Sequence, residues 1–306
     1  MYFQDFKKYR NDFLSYINIE KNLSLNTQKS YKGDFKLFCD FWTRVEQEES
    51  EKIELRRALE RYFVFLFHKK IDKSSVARKI SCFRSFENYL KIFDIRLNLK
   101  LKRPRIDKKL PTYLTVDEVF YLLDTVKDED LPSIRPIRDK TIFELLYATG
   151  IRCSELCNIK IQDVNLEEKI IRITGKGRKE RFALFGKKAK ERIIEYLEKE
   201  RPKPVSDKDF LLVSHVNEPL NQRTVQRVMK MFRSFLQGNK NITPHKIRHS
   251  FATHLLNQGT DLRVVQELLG HATLASTEKY THITSAQLAD MCDTIHPLNT
   301  MEKEEF

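Results

Sequence analysis

The chain has 306 residues, 41% of them hydrophobic and 32% charged, and a formal net charge of +13 with a pI near 9.4. That length suffices for two cored domains. No apolar run approaches the ~20 residues of a membrane-spanning helix, and the opening "MYFQDFKKYRND" lacks the apolar core of a secretory signal, so the cytoplasm is the expected location. The basic excess points to a polyanion partner. Residues 1–110 hold 26 Lys+Arg against 15 Asp+Glu, a net of +11, while residues 111–306 hold 30 against 28, a net of +2. A lysine-rich proteome would also give a basic protein, but the asymmetry favours a nucleic-acid clamp. The five cysteines (39, 82, 153, 157 and 292) are scattered. Cys153 and Cys157, four apart, fit neither a CxxC redox pair nor a zinc ribbon, and the set reads as reduced structural thiols.

The first hundred residues read as four helices. After a helix over 3–18, "LSLNTQKSYKGDFKLFCDFW" repeats Tyr31, Phe35, Phe38 and Trp42 at three- and four-residue steps, with Ser24 or Asn26 as its cap. "ELRRALERYFVFLFHKK" and "SSVARKISCFRSFENYLKIF" are the third and fourth amphipathic stretches, predicting a small bundle. Arg78, Lys79 and Arg84 fall on the more polar side of the fourth helix, facing either a phosphate backbone or solvent. The basic stretch "LKLKRPRIDKKLPTYL", with Pro104 and Pro111, is the domain boundary, at about 103–112. A helical domain is expected at 1–105, a linker at 106–112 and a second domain at 113–306.

The second domain opens with a capping-box spacing, Thr115 to Glu118. "IRDKTIFELLYATG" is a helix closed by Gly150. "KIIRITGKGRKERFALF" alternates, turns at Gly175–Gly177 and alternates again, predicting a β-hairpin. "GKKAKERIIEYLEKE" is helical, and "FLLVS" at 210–214 is a short buried strand or extended piece. Helices follow at about 222–236, 244–257 and 261–269, with Gly259 and Gly270 as stops. The fold class is mainly α with a small antiparallel β insert.

Four segments carry chemistry. In "TPHKIRHSFATHLL", Thr243 caps a helix with Pro244 at its first position, and His245 and Arg248 share a face on which a phosphate would also meet helix-terminal NH groups. His245 and His249 have the spacing of a metal pair, but Lys246 stands where a zinc hydrolase needs a glutamate, so no metal is expected. His249 and His254 read as structural. In "ATGIRCSELCNI", Arg152 follows Gly150, Ser154 is the expected helix cap, and Glu155 stands in the first turn. Arg152 serves either as a second phosphate clamp steered by Glu155 or merely as its ion-pair partner. "TGKGRKERF" offers a hairpin tip carrying Lys176, Arg178, Lys179 and Arg181, with no P-loop frame. Tyr280, in "LGHATLASTEKYTH", is a poor nucleophile at its ordinary pKa near 10. Attack on a phosphodiester needs cations around it, and two Arg, one Lys and two His supply that set.

Arg152 in "ATGIRCSEL", Lys176 in the hairpin, "PHKIRHSFATHLL", "LGHA" and "STEKYTH" together resemble the tyrosine recombinase family, close to its bacterial Xer-type members. The resemblance spans essentially the whole chain; the one departure is that "RKERFALFG" lacks the proline often found after the second hairpin strand. It implies a C-shaped clamp on double-stranded DNA, a four-helix core-binding domain with Arg78, Lys79 and Arg84 near the backbone, and a catalytic domain contributing Arg178 and Lys179. It also implies that Arg152, Arg248 and His271 hold the scissile phosphate and Tyr280 attacks it, leaving a 3′-phosphotyrosyl link. Lys176 is then the general acid, His245 assists, Glu155 supports, and neither ATP nor metal is needed. Four protomers, as a homotetramer or with a paralogue, would exchange strands through a Holliday junction. The amphipathic "ITSAQLADMCDTIHPL" (Ile283, Leu288, Met291) would either pack on its own domain or, as the resemblance favours, dock on a neighbouring subunit. Chromosome-dimer resolution at a dif-type site, with an FtsK-type translocase, is the expected role. The absence of an extra amino-terminal domain favours it over a mobile-element integrase, and the retained catalytic set argues against a non-catalytic DNA-binding protein.

Overall fold

A computed structural model of the chain describes residues 1–21, 23–106, 113–175, 180–206 and 209–270. The chain divides into two compact units, Met1–Leu110 and Pro111–Phe306, each with its own hydrophobic core. Among the described residues no helix is long and apolar enough to cross a membrane, and Cys39, Cys82, Cys153 and Cys157 are free thiols.

The first unit is built from α1 (Phe3–Ile19), α2 (Leu25–Glu49), α3 (Leu55–His68) and α4 (Lys73–Leu90). Of the two cap candidates for α2, Ser24 is used: its hydroxyl accepts from Thr27 N at 3.3 Å. The core is largely aromatic because the apolar stripes of α1, α2 and α4 carry Phe at their facing positions. Phe6 is the hub, with ring centroids 5.9 Å from Phe35, 5.4 Å from Phe38, 5.5 Å from Trp42 and 5.4 Å from Phe86. Such pairs add about 0.5–1.5 kcal/mol each beyond burial.

The expected DNA-facing trio on α4 does not stay together. Lys79 is 5% exposed, and its Nζ lies 2.8 Å from Oδ1 of the equally buried Asp34. The reason is positional. Residues 79, 82, 83, 86 and 90 form one i, i+3, i+4, i+7 stripe, so Lys79 heads the apolar face that continues through Cys82, Phe83, Phe86 and Leu90. Asp34 compensates a charge that would otherwise be prohibitive there. Arg78 also pairs with Asp34 but keeps 45% of its side chain exposed. Arg84 is exposed and donates to the Leu101 carbonyl at 2.6 Å.

In the second unit α5 (Val116–Phe120) starts with the predicted reciprocal cap. Thr115 Oγ1 accepts from Glu118 N at 3.2 Å, and the Glu118 carboxylate accepts from Thr115 N at 2.9 Å. The central element is α6 (Pro136–Thr149), buried at every residue from Arg138 to Thr149 and packed against α8 (Lys187–Lys199) and α10 (Pro244–Asn257). Its buried first-turn charges are partnered: Arg138 Nη2 meets Asp139 Oδ1 at 2.7 Å, and Lys140 pairs with Asp128 at 3.1 Å. After the single-turn α7 (Cys153–Leu156), the sheet is three-stranded and antiparallel, β1 (Val164–Asn165), β2 (Ile170–Thr174) and β3 (Glu180–Leu184), in that order. The predicted hairpin is β2–β3; β1 is an addition to it. The "FLLVS" stretch is an extended piece with two isolated bridges, Lys160 to Phe210 and Val213 to Pro219. α9 (Gln222–Arg233) ends three residues earlier than expected, where the chain leaves it for a short 3-10 turn at Gln237–Asn239. α11 (Leu262–Leu268) follows α10, and Gly259 and Gly270 both take positive φ as helix stops.

Candidate active site: three arginines around one carboxylate

Gly150 closes α6 with φ +58 and turns the chain so that Arg152, in extended conformation, precedes α7. The expected cap Ser154 lies inside this short helix instead; Arg152 is the capping position. Glu155, the third helical residue, reaches back to accept from Arg152 N at 2.7 Å, the acidic half of a capping box. The same carboxylate accepts from Arg152 Nη1 at 2.9 Å and from Arg181 Nη2 at 3.0 Å. Glu155 is 7% exposed. Burial pushes its pKa up, but the Arg152 backbone hydrogen bond, the Arg181 charge and the Arg152 guanidinium outweigh it and leave the carboxyl below its ordinary range.

Arg248 reaches the same place from α10. Thr243 Oγ1 accepts from Lys246 N and Pro244 follows it, so the predicted cap sets the start of this helix. One turn on, Arg248 is 8% exposed, with Nη1 donating to Gly150 O at 2.6 Å and Nη2 to Leu269 O at 2.7 Å. It ties the end of α6 to the end of α11. Burial pushes its pKa down to about 10, helped by the charges of Arg152 and Arg181 and opposed by Glu155. The guanidinium therefore stays protonated at neutral pH. Arg152 and Arg181 pair with one carboxylate and Arg248 lies close enough to interact electrostatically with all three groups, so the cluster carries a surplus of positive charge.

Of the other candidates, His245 is exposed in the first turn of α10, three residues before Arg248. His249 is exposed too, its ring 6.3 Å from that of Tyr113, and so is not the bundle-interior histidine expected. His254 is: it is 3% exposed, its Nδ1 lies 2.8 Å from the Tyr147 hydroxyl, and burial lowers its pKa. Lys176, Arg178 and Lys179, together with His271, Tyr280 and the segment after it, lie outside the described residues. Among the described residues no group of three or more His, Cys, Asp or Glu side chains is placed to hold a metal ion.

Arg181 departs from its expected place at a flexible tip. It stands on β3 opposite Ile173, two residues from the buried Ala183, so the alternation of the strand turns it inward while Phe182 is left 60% exposed. An arginine inside and a phenylalanine outside invert the ordinary pattern of a strand. That inversion is countable in the sequence from the alternation of "ERFAL".

A family model described as "Phage integrase family" matches residues 112–287, and one described as "Phage integrase, N-terminal SAM-like domain" matches residues 11–92. The chain is 40% identical over 293 residues to tyrosine recombinase XerC of Staphylococcus epidermidis, covering 95% of this chain and 97% of that one. The chain belongs to the phage integrase family. It is a Xer-type tyrosine recombinase, an enzyme that cuts and rejoins DNA at specific sites. XerC of Staphylococcus aureus is also 40% identical, over 297 residues and the same shares of each chain. Among solved structures, a lambda integrase fragment dimer bound to a core site aligns with a TM-score of 0.66 at 17% identity, covering 92% of this chain and 95% of that one. The XerH site-specific recombinase bound to difH aligns with a TM-score of 0.64 at 24% identity, covering 86% and 78%. These two likenesses show the fold of a recombinase, mainly α with its small antiparallel sheet.

Proposed function

We propose that this recombinase cleaves DNA through Tyr280. Arg152 and Arg248, with His271, hold the two non-bridging oxygens of the scissile phosphate and stabilise the charge that grows on them. The Tyr280 oxygen forms a bond to phosphorus as the bond to the 5′ oxygen breaks, giving a 3′-phosphotyrosyl ester. Lys176 donates the proton that the departing 5′ oxygen takes up. His245 accepts the phenol proton or holds the phosphate, and Glu155 orients Arg152. The ester conserves the energy of the backbone bond, so the free 5′ hydroxyl of a partner strand reverses the step with no ATP, cofactor or metal. The observation that supports this most directly is Arg248: from 98 residues away it donates to Gly150 O, two residues before Arg152, and it shares the electrostatics of Arg152 and Glu155.

Strand exchange through a Holliday junction requires four protomers, either four copies of this chain or copies alternating with a paralogue. In that assembly both the helical unit and the catalytic unit contact the duplex, and the segment after Tyr280 docks on a neighbouring protomer. Identity to XerC along 95% of the chain favours resolution of chromosome dimers at a dif-type site in the cytoplasm, assisted by an FtsK-type translocase, over integration of a mobile element.

The test is a nicked duplex carrying the dif-type sequence of the same genome, from which the nucleophile's leaving strand escapes. Wild type is expected to give a denaturant-resistant adduct that survives EDTA, and Tyr280→Phe none. Adduct formation by Tyr280→Phe would place the nucleophile elsewhere, and loss of the wild-type adduct in EDTA would bring back a metal.

A further inference from the structure

We propose that Arg181 is a further positioning residue of the recombinase site, a strut held between the Glu155 carboxylate and Gly270 that fixes Arg152 on one side and the Leu269–Gly270 turn on the other. The proposal rests on the reading in which Arg152 and Arg248 hold the phosphate.

Three observations carry it. Arg181 Nη2 takes one oxygen of Glu155 at 3.0 Å, the oxygen that also caps Arg152 N, while the other oxygen takes Arg152 Nη1. The direction of the Arg152 guanidinium thus depends on a carboxylate that is held from both sides. On its other side the Arg181 side chain lies against Gly270. A Cβ built on that glycine would sit 2.6 Å from Arg181 Cδ and would collide with Nε as well, and its φ is +65. The turn at Gly270 is the one whose preceding carbonyl, that of Leu269, accepts from Arg248 Nη2. Two arginines therefore seat the backbone that leads directly into His271. Finally, Nε and Nη1 of Arg181 are shut off from solvent and find no acceptor among the described residues. Burying unpaired donors is costly and uncommon, and a side chain serving only the sheet would gain nothing by it.

Glu155 is faced by Arg152 and Arg181, with Arg248 close enough for charge interaction. Removing Arg181 withdraws one of the cations that keep Glu155 ionised. Its proton is then taken up at higher pH, and the acid limb of the cleavage profile moves up. Loss of packing alone would not move it.

The experiment compares wild type with Arg181→Ala, Arg181→Lys, Gly270→Ala and the Arg181→Ala/Gly270→Ala double variant. Affinity is read by gel shift on intact duplex, and single-turnover adduct formation on the nicked dif-type duplex between about pH 3.5 and 8.5, with a thermal melt for each protein, so that the window spans the range below the ordinary glutamate value in which Glu155 takes up its proton. Arg181→Ala is expected to slow adduct formation about 100-fold, the scale on which a misplacement of about 1 Å acts, with affinity changed less than about threefold. Its acid limb should shift upward. Arg181→Lys, which keeps a cation near Glu155, should recover the wild-type acid limb but only part of the rate. Gly270→Ala should be slow by itself and cost less when added to Arg181→Ala, because the collision is gone and only the strain of the positive φ remains; that non-additivity is the mark of a shared strut. If Arg181→Ala does not fold, Arg181→Lys and Gly270→Ala decide by the same split between rate and affinity. Wild-type rates in Arg181→Lys and Arg181→Ala, or equal losses of rate and affinity with an unmoved profile, would overturn the strut. Absence of an adduct from wild type would instead overturn the recombinase reading on which it stands.

Discussion

Glu144 illustrates what one buried group does to the catalytic unit. It lies on α6, 5% exposed, and burial, then the nearby Asp124 carboxylate, pushes its pKa up to about 7 against the pull of Arg192 and Lys188. The folded protein therefore holds a proton that the unfolded chain releases near the ordinary glutamate value. Between those two pH values the native state binds more protons, so stability falls as pH rises and levels off above about 7. The loss is about 3 kcal/mol in total. Glu144→Gln removes it. Thermal denaturation should show the variant melting about 5 °C above wild type at pH 8 and close to it near pH 5; an equal pH slope in both proteins would refute the assignment. The same scale shows why some site residues were legible in the sequence and others were not. Arg152, Glu155 and Arg248 stand in motifs whose chemistry names them. Lys79 and Arg181 are the residues for which charge does not mean exposure: the helical stripe in one case and the strand alternation in the other point inward.

Among the elements, α6 does most to build the site. Its burial on all sides erases the amphipathic period by which helices are usually recognised, and Gly150 rather than periodicity marks its end. A Cβ at Gly150 would lie 2.5 Å from Phe251 Cδ1 and 2.8 Å from Leu269 Cδ2, at a φ of +58. Gly150→Ala is expected to cost about 3 kcal/mol in urea unfolding, from left-handed strain and overpacking together. Gly238 shares the positive φ, at +77, but has open space around it, and Gly238→Ala should cost only about 1 kcal/mol. Equal losses at the two positions would mean that α10 and α11 do not close on the α6 terminus as described. Elements with a strong local pattern, α1 to α4, α8 and α10, stood where periodicity and caps put them. β1, two residues long, is too short to carry any pattern. The end of α9 and the bridges of the "FLLVS" piece depend on partners distant in sequence.

For the whole molecule, the uneven charge is the property with the widest consequence. A surplus of 11 positive charges in residues 1–110, against 2 in the remainder, means that much of the affinity for DNA comes from the release of counterions. Anisotropy titrations with duplex should show affinity falling on the order of a thousandfold between 50 and 200 mM salt, with the Tyr280→Phe variant following the same line. A salt-independent affinity would contradict a phosphate-dominated grip. Composition, helical period, caps and the order Arg, Lys, His-x-x-Arg, His, Tyr were determined by the sequence itself, because each is a property of residue type or of neighbours a few positions apart. Only the tertiary structure decided that Arg248 bridges the ends of α6 and α11, that Arg181 meets Glu155 and Gly270, and that Lys79 is sealed against Asp34. Those outcomes depend on which charged groups packing brings within hydrogen-bond distance across a hundred residues of chain, and no local pattern encodes that distance.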